Sequence, residues 1–252
     1  MIFRFSMTKV KITIALMILV SLLSCFGRSS GASRHVNRIK KGVVKWNQWR
    51  RDHPNTKIAL EGADLRNMNL QGINLEGAYL LNANLEGANL EGANLRNSTL
   101  QEANLQKANL DNADLSDSIL RGTKLKGASL RNANLKRVTV EESDFRMTIM
   151  TRVNLKASTC TYSAFHRANL EKADLSESIL SHSIFKAASL KGANLEKANL
   201  KGASLEKADM SKTNLKGANL KGTNVLHCNF KDSNITEKQL KSALNGDRII
   251  AK

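Results

Sequence analysis

The chain has 252 residues, a single Pro, only 4% aromatic and 41% apolar residues, and a formal net charge of +17. So few large side chains argue against a conventional globular core, and the length suits either one large domain or one repeat array with short flanks. The charge suggests nucleic acid only until it is divided by segment: residues 1–57 carry +11, residues 58–235 only +4, and residues 236–252 carry +2.

Residues 1–32 read as a targeting segment. Arg4, Lys9 and Lys11 precede an apolar run from Ile12 to Leu23, which small residues follow. Twelve apolar residues fall short of the roughly 20 that a bilayer-crossing helix needs, so a cleaved secretory signal is expected rather than an anchor. Two processing sites compete. Leu22-Leu23-Ser24-Cys25 resembles a bacterial lipobox that would leave a lipidated Cys25, although Leu at its second position is unusual, and Ser30-Gly31-Ala32 fits small-x-small cleavage. Either route predicts export to the cell envelope or periplasm. The basic residues Arg28, Arg34, Arg38, Lys40 and Lys41 oppose translocation and keep a cytoplasmic alternative open.

Residues 33–57 form a basic linker. Within it Val36, Ile39, Val43 and Trp46 fall at helical spacing, which predicts one helix over 36–51 with Pro54 beyond its end.

From Leu60 to Ile235 an apolar residue stands at every fifth position, giving 36 repeats of the form A-(N/D)-L-x-x, as in Ala83-Asn84-Leu85 and Ala193-Asn194-Leu195. A period of five matches neither a helix at 3.6 nor a strand at 2.0, so it requires a coiled path with regular turns. Departures from the consensus recur every twenty residues. Phe145, Phe165 and Phe185 form one series, Ser143, Ser163 and Ser183 another, and Ser98, Ser118, Ser158 and Ser178 a third that Val138 interrupts. Four repeats per coil explain this, with phenyl rings over phenyl rings as a core stack and hydroxyls meeting hydroxyls in the next layer.

The array, 178 of 252 residues, resembles the pentapeptide-repeat family. The resemblance implies an all-β solenoid, a right-handed four-sided β-helix of about nine coils and, at about 4.8 Å per layer, roughly 43 Å of length. It also implies that the central Leu and the preceding Ala point inward, while Asn or Asp and the two variable residues occupy corners and outer faces. Such a rod must cover its open ends. The 36–51 helix suits the first coil. At the other end, in residues 236–252, Thr236-Glu237-Lys238-Gln239 reads as a capping box for a short helix through Leu240 and Leu244 that stops at Asn245-Gly246. Either cap could alternatively pair two copies as a homodimer.

No catalytic constellation, cofactor motif or metal-ligand spacing emerges from His35, His53, His166, His182, His227 and the cysteines, so an enzyme is not expected. Cys160 and Cys228 fall at inward positions about three coils apart, beyond disulfide reach. The least regular stretch is 137–166, where Thr139, Ile149, Thr159 and Ala164 replace Asn or Asp. Under the twenty-residue register Glu142, Tyr162 and His182 align there as an exposed column, the candidate binding patch.

Three functional readings follow. The first is an exported or envelope-associated, non-enzymatic scaffold for protein–protein interaction, with an unknown protein partner. The second is binding of anionic polymer or membrane through the basic N-terminal region and the second half of the rod, since residues 121–235 carry +10. The third, implied by family relatives that protect DNA gyrase by imitating duplex DNA, needs a mainly negative rod. Only residues 58–120, at −6, lean that way. Nucleic acid itself is the less expected partner.

Overall fold

The computed structural model describes residues 31–247. The apolar segment with Cys25 and its lipobox-like residues lies outside the described residues, as do residues 248–252. Residues 31–39 are helical and are labelled α1, α2 is Val43–Asp52, and α3 is Glu237–Ser242. Among the described residues no helix is long and apolar enough to cross a membrane.

Between α2 and α3 the chain winds as a four-sided rod. Every fifth residue from Ala59 pairs in parallel with the residue twenty positions on, as in Thr159↔Ile179, and the register holds without a slip to Asp209↔Asn229. Each side of a coil is therefore a single bridged position, and each corner is a two-residue turn. We number the faces in chain order by these positions: 59, 79, 99 and so on form the first face, 64, 84, 104 the second, 69, 89, 109 the third, and 74, 94, 114 the fourth. Each corner takes the number of the face it follows. Backbone hydrogen bonds tie the layers in both directions. Leu155 N–H donates forward to Asp174 O at 2.7 Å, and Asn154 N–H donates back to Ala133 O at 3.0 Å. Apart from the turn bonds at the corners, backbone pairing along the rod is between layers, which explains why no helix or strand period appears in the sequence.

The central Leu residues are fully buried and the small residues two positions earlier nearly so. Truncating one such Leu to Ala costs about 2–5 kcal/mol, because neighbouring layers cannot collapse into the gap. At the corners the second variable residue is left-handed from Gly62 to Asp232, with φ between 54° and 70°. This narrows the implied placement of Asn at corners or outer faces. The Asn of A-N-L lies on the flat face. There Asn89 Oδ1 accepts from Glu91 N–H at 3.2 Å, and its Nδ2 donates to Asn69 Oδ1 one coil earlier at 3.1 Å. At Gly87 the corner is also crowded, since a Cβ there would stand 2.3 Å from Asn67 Oδ1.

The expected continuous helix over 36–51 is instead two helices. Gly42, at φ 105°, turns the chain between them, so that both Ile39 and Trp46 reach the end of the core. Side chains of α2 take the place of a preceding coil. Trp46 Nε1 donates to Asn74 O at 2.7 Å, Asn47 both accepts from Asn74 N–H and donates to Gly72 O, and Arg50 donates to Thr56 O and Glu76 O. Orphaned sheet-edge groups are thus satisfied.

At the far end Thr236 and Gln239 form a reciprocal capping box. Gln239 Nε2 also donates to Leu215 O and Ala218 O. The helix stops at Ser242, earlier than expected, because Leu244 pairs with Asn224 as a further bridge. Cys228, Phe230 and Ile235 are only partly buried at this end.

Candidate binding surface at the first corner

Four features that depart from the repeat converge on the first corner in the three coils spanning residues 139–185. Beneath the first face, Val140 and Cys160 replace Leu, and both are fully buried. Beneath the second face, Phe145, Phe165 and Phe185 stack with ring centroids 4.9 and 4.6 Å apart and interplanar angles of 11° and 1°. Smaller groups on one side of the corner make room for larger ones on the other.

The turn hydrogen bonding changes in the same place. Elsewhere the small residue donates its N–H to the central carbonyl three residues back, as Ala168 does to Phe165 O at 3.0 Å. Here Ser143 N–H donates to Ser163 Oγ at 3.2 Å and Ser163 N–H to Ser183 Oγ at 3.1 Å. The hydroxyls of Ser163 and Ser183 in turn donate to Val140 O and Cys160 O. The serine columns therefore do not meet hydroxyl to hydroxyl. In the other series each hydroxyl serves its own coil, as Ser158 Oγ does in donating to Leu155 O at 2.6 Å.

Outside this modified core, Tyr162 and His182 stack face to face, with centroids 5.2 Å apart and planes 8° from parallel. Both are corner residues with positive φ. The imidazole extends over Gly202, where a Cβ would lie 2.7 Å from the ring, so the absence of a side chain there gives the histidine its resting place. Glu142 lies one coil above Tyr162 and is engaged by Arg121 at 3.7 Å. The column read from the sequence is thus divided: Tyr162 and His182 form one unit, and Glu142 forms an exposed ion pair beside it.

On either side of the stack stand Ile179 of the first face and Ile184 of the second, 42% and 48% exposed, with Tyr162 at 64%. Thr159 and Ala164 complete the patch one layer above, bridged to those isoleucines. Ile179 and Ile184 were not singled out in the sequence because they fall beyond the irregular stretch 137–166. Reading the residue before each central position in steps of twenty would have found them.

Two other groups contribute no exposed side chain to the patch. Cys160 and Cys228 are free thiols, and burial pushes both up to about 12, which leaves them unreactive as packing residues. His35, Trp46, Trp49 and His53 form an aromatic cluster in the N-terminal cap, with Arg38 4.3 Å over Trp49. Burial, reinforced by Arg34, Arg38 and Arg50, lowers the His35 pKa. Among the described residues no group of three or more His, Cys, Asp or Glu could hold a metal ion.

Comparison with curated proteins finds no significant match. Among solved structures, the chain is similar to HetL, a pentapeptide repeat protein involved in heterocyst differentiation regulation from the cyanobacterium Nostoc sp. strain PCC 7120. The identity is 27%, with 73% of this chain and 88% of that one covered and a TM-score of 0.43. QnrB1, a plasmid-mediated fluoroquinolone resistance protein, shares 17% identity over 64% of this chain and 87% of its own, with a TM-score of 0.40. A pentapeptide repeat protein of the Arabidopsis thaliana thylakoid lumen is 31% identical over 48% of this chain and 74% of its own, with a TM-score of 0.27. The family model for pentapeptide repeats matches eight copies, at residues 60–97, 78–117, 98–137, 148–186, 183–225 and 213–237. With those matches covering about two thirds of the sequence and an unbroken twenty-residue coil, the chain belongs to the pentapeptide-repeat family, and its rod is that family's right-handed four-sided β-helix.

Proposed function

We propose that this protein is a non-enzymatic scaffold that binds a protein partner through the first-corner patch of Tyr162, Ile179, His182 and Ile184. The observation that carries the reading is the coincidence of exposed aromatic and branched apolar side chains with a core remodelled directly beneath them. Tyr79, Ile119 and Met147 are exposed elsewhere on the rod, but Tyr162, Ile179 and Ile184 are gathered at one corner and offer the contact area that protein interfaces use, and Tyr is among the residues enriched at their centres. The DNA-mimic reading has less support, since carboxylates outnumber cations only over residues 58–120.

The same reading places the scaffold in the cell envelope. Its support is the N-terminal sequence, in which Arg4, Lys9 and Lys11 precede the apolar run from Ile12 to Leu23.

The test is affinity purification of the full chain from envelope fractions, in parallel with a Tyr162→Ala/Ile184→Ser variant and an Asn154→Ser control on the fourth face. The expected result is a partner recovered by wild type and the control but lost by the variant, with melting temperatures unchanged between wild type and variant. Equal recovery by all three would refute the assigned surface.

A further inference from the structure

The third corner carries a different pattern from the patch. In five successive coils it presents one cation per layer: Arg152, Lys172, Lys191, Lys212 and Lys231. Where Gly192 and Asp232 occupy the second corner position, Lys191 and Lys231 supply the charge from the first. All five are exposed, and none has a carboxylate within salt-bridge distance among the described residues. Many other cations of the rod are neutralised across coils, as Arg137 is by Asp117 at 2.6 Å and Lys186 by Glu206 at 2.9 Å. In the first three coils the same corner holds Gln71, Glu91 and Asp111 and no cation.

At about 4.8 Å per layer the five charges are spread over roughly 19 Å of the corner. None of them is in an ion pair among the described residues, and Glu171, Asp174, Asp209 and Asp232 in the same coils offset their mutual repulsion only in part; a linear polyanion lying along the corner would relieve the rest.

The two adjoining faces identify the kind of polyanion. The fourth face carries Asn154, Asp174, Asn194, Asn214 and Asn234, and the third carries Ile149, Asn169, Ser189, Asp209 and Asn229. Neither face nor the corner has an aromatic side chain in these coils. Base-stacking platforms for single-stranded nucleic acid are therefore missing. None of the large exposed apolar residues lies here to enter a bilayer. In the fourth-face ladder Asn214 Nδ2 donates to Asn194 Oδ1 at 2.9 Å and Asn234 Nδ2 to Asn214 Oδ1 at 2.7 Å. Each amide keeps its second N–H free. Glu171, Asp174, Asp209 and Asp232 add acceptors beside the row. Spare amide donors and acceptor oxygens next to a line of cations suit a chain that bears hydroxyls as well as charge.

We infer that the third corner from Arg152 to Lys231 is a binding site for a linear carboxylated polysaccharide, a polyuronate lying along the rod axis.

The experiment uses the full chain, with polygalacturonate as probe and neutral dextran, single-stranded oligothymidylate and anionic phospholipid vesicles as comparators. A corner variant carries R152Q, K172Q, K191Q, K212Q and K231Q. A charge-matched control carries K124Q, K126Q, K136Q, K197Q and K207Q, spread over the other sides. Expected are salt-sensitive binding of polygalacturonate, no binding of dextran, and a loss of about tenfold or more for the corner variant against less than about threefold for the control. Failure of the wild-type chain to bind polygalacturonate at low salt overturns the inference. So does equal loss in both variants, which would assign the effect to net charge, or tighter binding of the oligothymidylate or the vesicles. Circular dichroism and melting of both variants separate lost binding from lost fold.

Discussion

The fourth face and the first corner are built on the same coil yet solve different problems. Along the fourth face the bridge positions are Asn or Asp from Asn74 to Asn214. Their carboxamides donate from coil to coil, as Asn154 does to Asn134 at 3.2 Å and Asn194 to Asp174 at 3.2 Å. Along the first face, Tyr79, Thr99, Ile119, Thr139, Thr159 and Ile179 occupy the equivalent positions. Among the described residues the only side-chain link of that kind on this face is Asn219 to Asn199. The backbone register is identical on both sides. The side-chain ladder is therefore a supplement to the stack, and a face can give it up when its outward side chains serve another end.

The largest effect that sharpens this contrast lies in the core beneath the first corner. Phe165→Ala should lower unfolding stability by about 3–5 kcal/mol in denaturant titration, because the ring is held between Phe145 and Phe185 and the layers above and below cannot close the cavity. Phe165→Leu, which restores the residue usual at that position, should cost less. If both cost the same, the phenyl stack is not a packed unit.

A smaller effect is expected on the fourth face. Asn194→Ala removes the bonds to Asp174, from Asn214 and from Glu196 N–H, and should cost about 1–2 kcal/mol in the same titration. The comparable change at Thr159 on the first face, which makes no such ladder bond, should fall within about 0.5 kcal/mol. Equal costs would mean that the two faces are held in the same way.

Much of this architecture was legible in the sequence because each coil repeats its predecessor. Leu at every fifth position fixed the inward side, and Phe145, Phe165 and Phe185 at intervals of twenty disclosed the coil length before any coordinate. The helix break at Gly42 was not legible, since Val36, Ile39, Val43 and Trp46 keep a helical period straight through it. The placement of Asn was left between corner and face because a motif written along the chain cannot show which of five positions turns the corner. The third-corner cations escaped notice for a related reason. They alternate between two sequence positions, so no single step of twenty connects Lys172, Lys191 and Lys212. The patch was half visible: Tyr162 and His182 share a register position, while Ile179 and Ile184 belong to two other columns that only the fold brings beside them.

The central claim is that partner recognition belongs to the first corner and not to the laddered fourth face. Its most direct test is site-specific photocrosslinking in the full chain, with a benzoylphenylalanine placed at Tyr162 in one preparation and at Lys197 on the fourth corner in another, each with the partner that wild type recovers. The account predicts a covalent adduct from position 162 and little or none from position 197. Adducts of equal yield, or an adduct from position 197 alone, would contradict it.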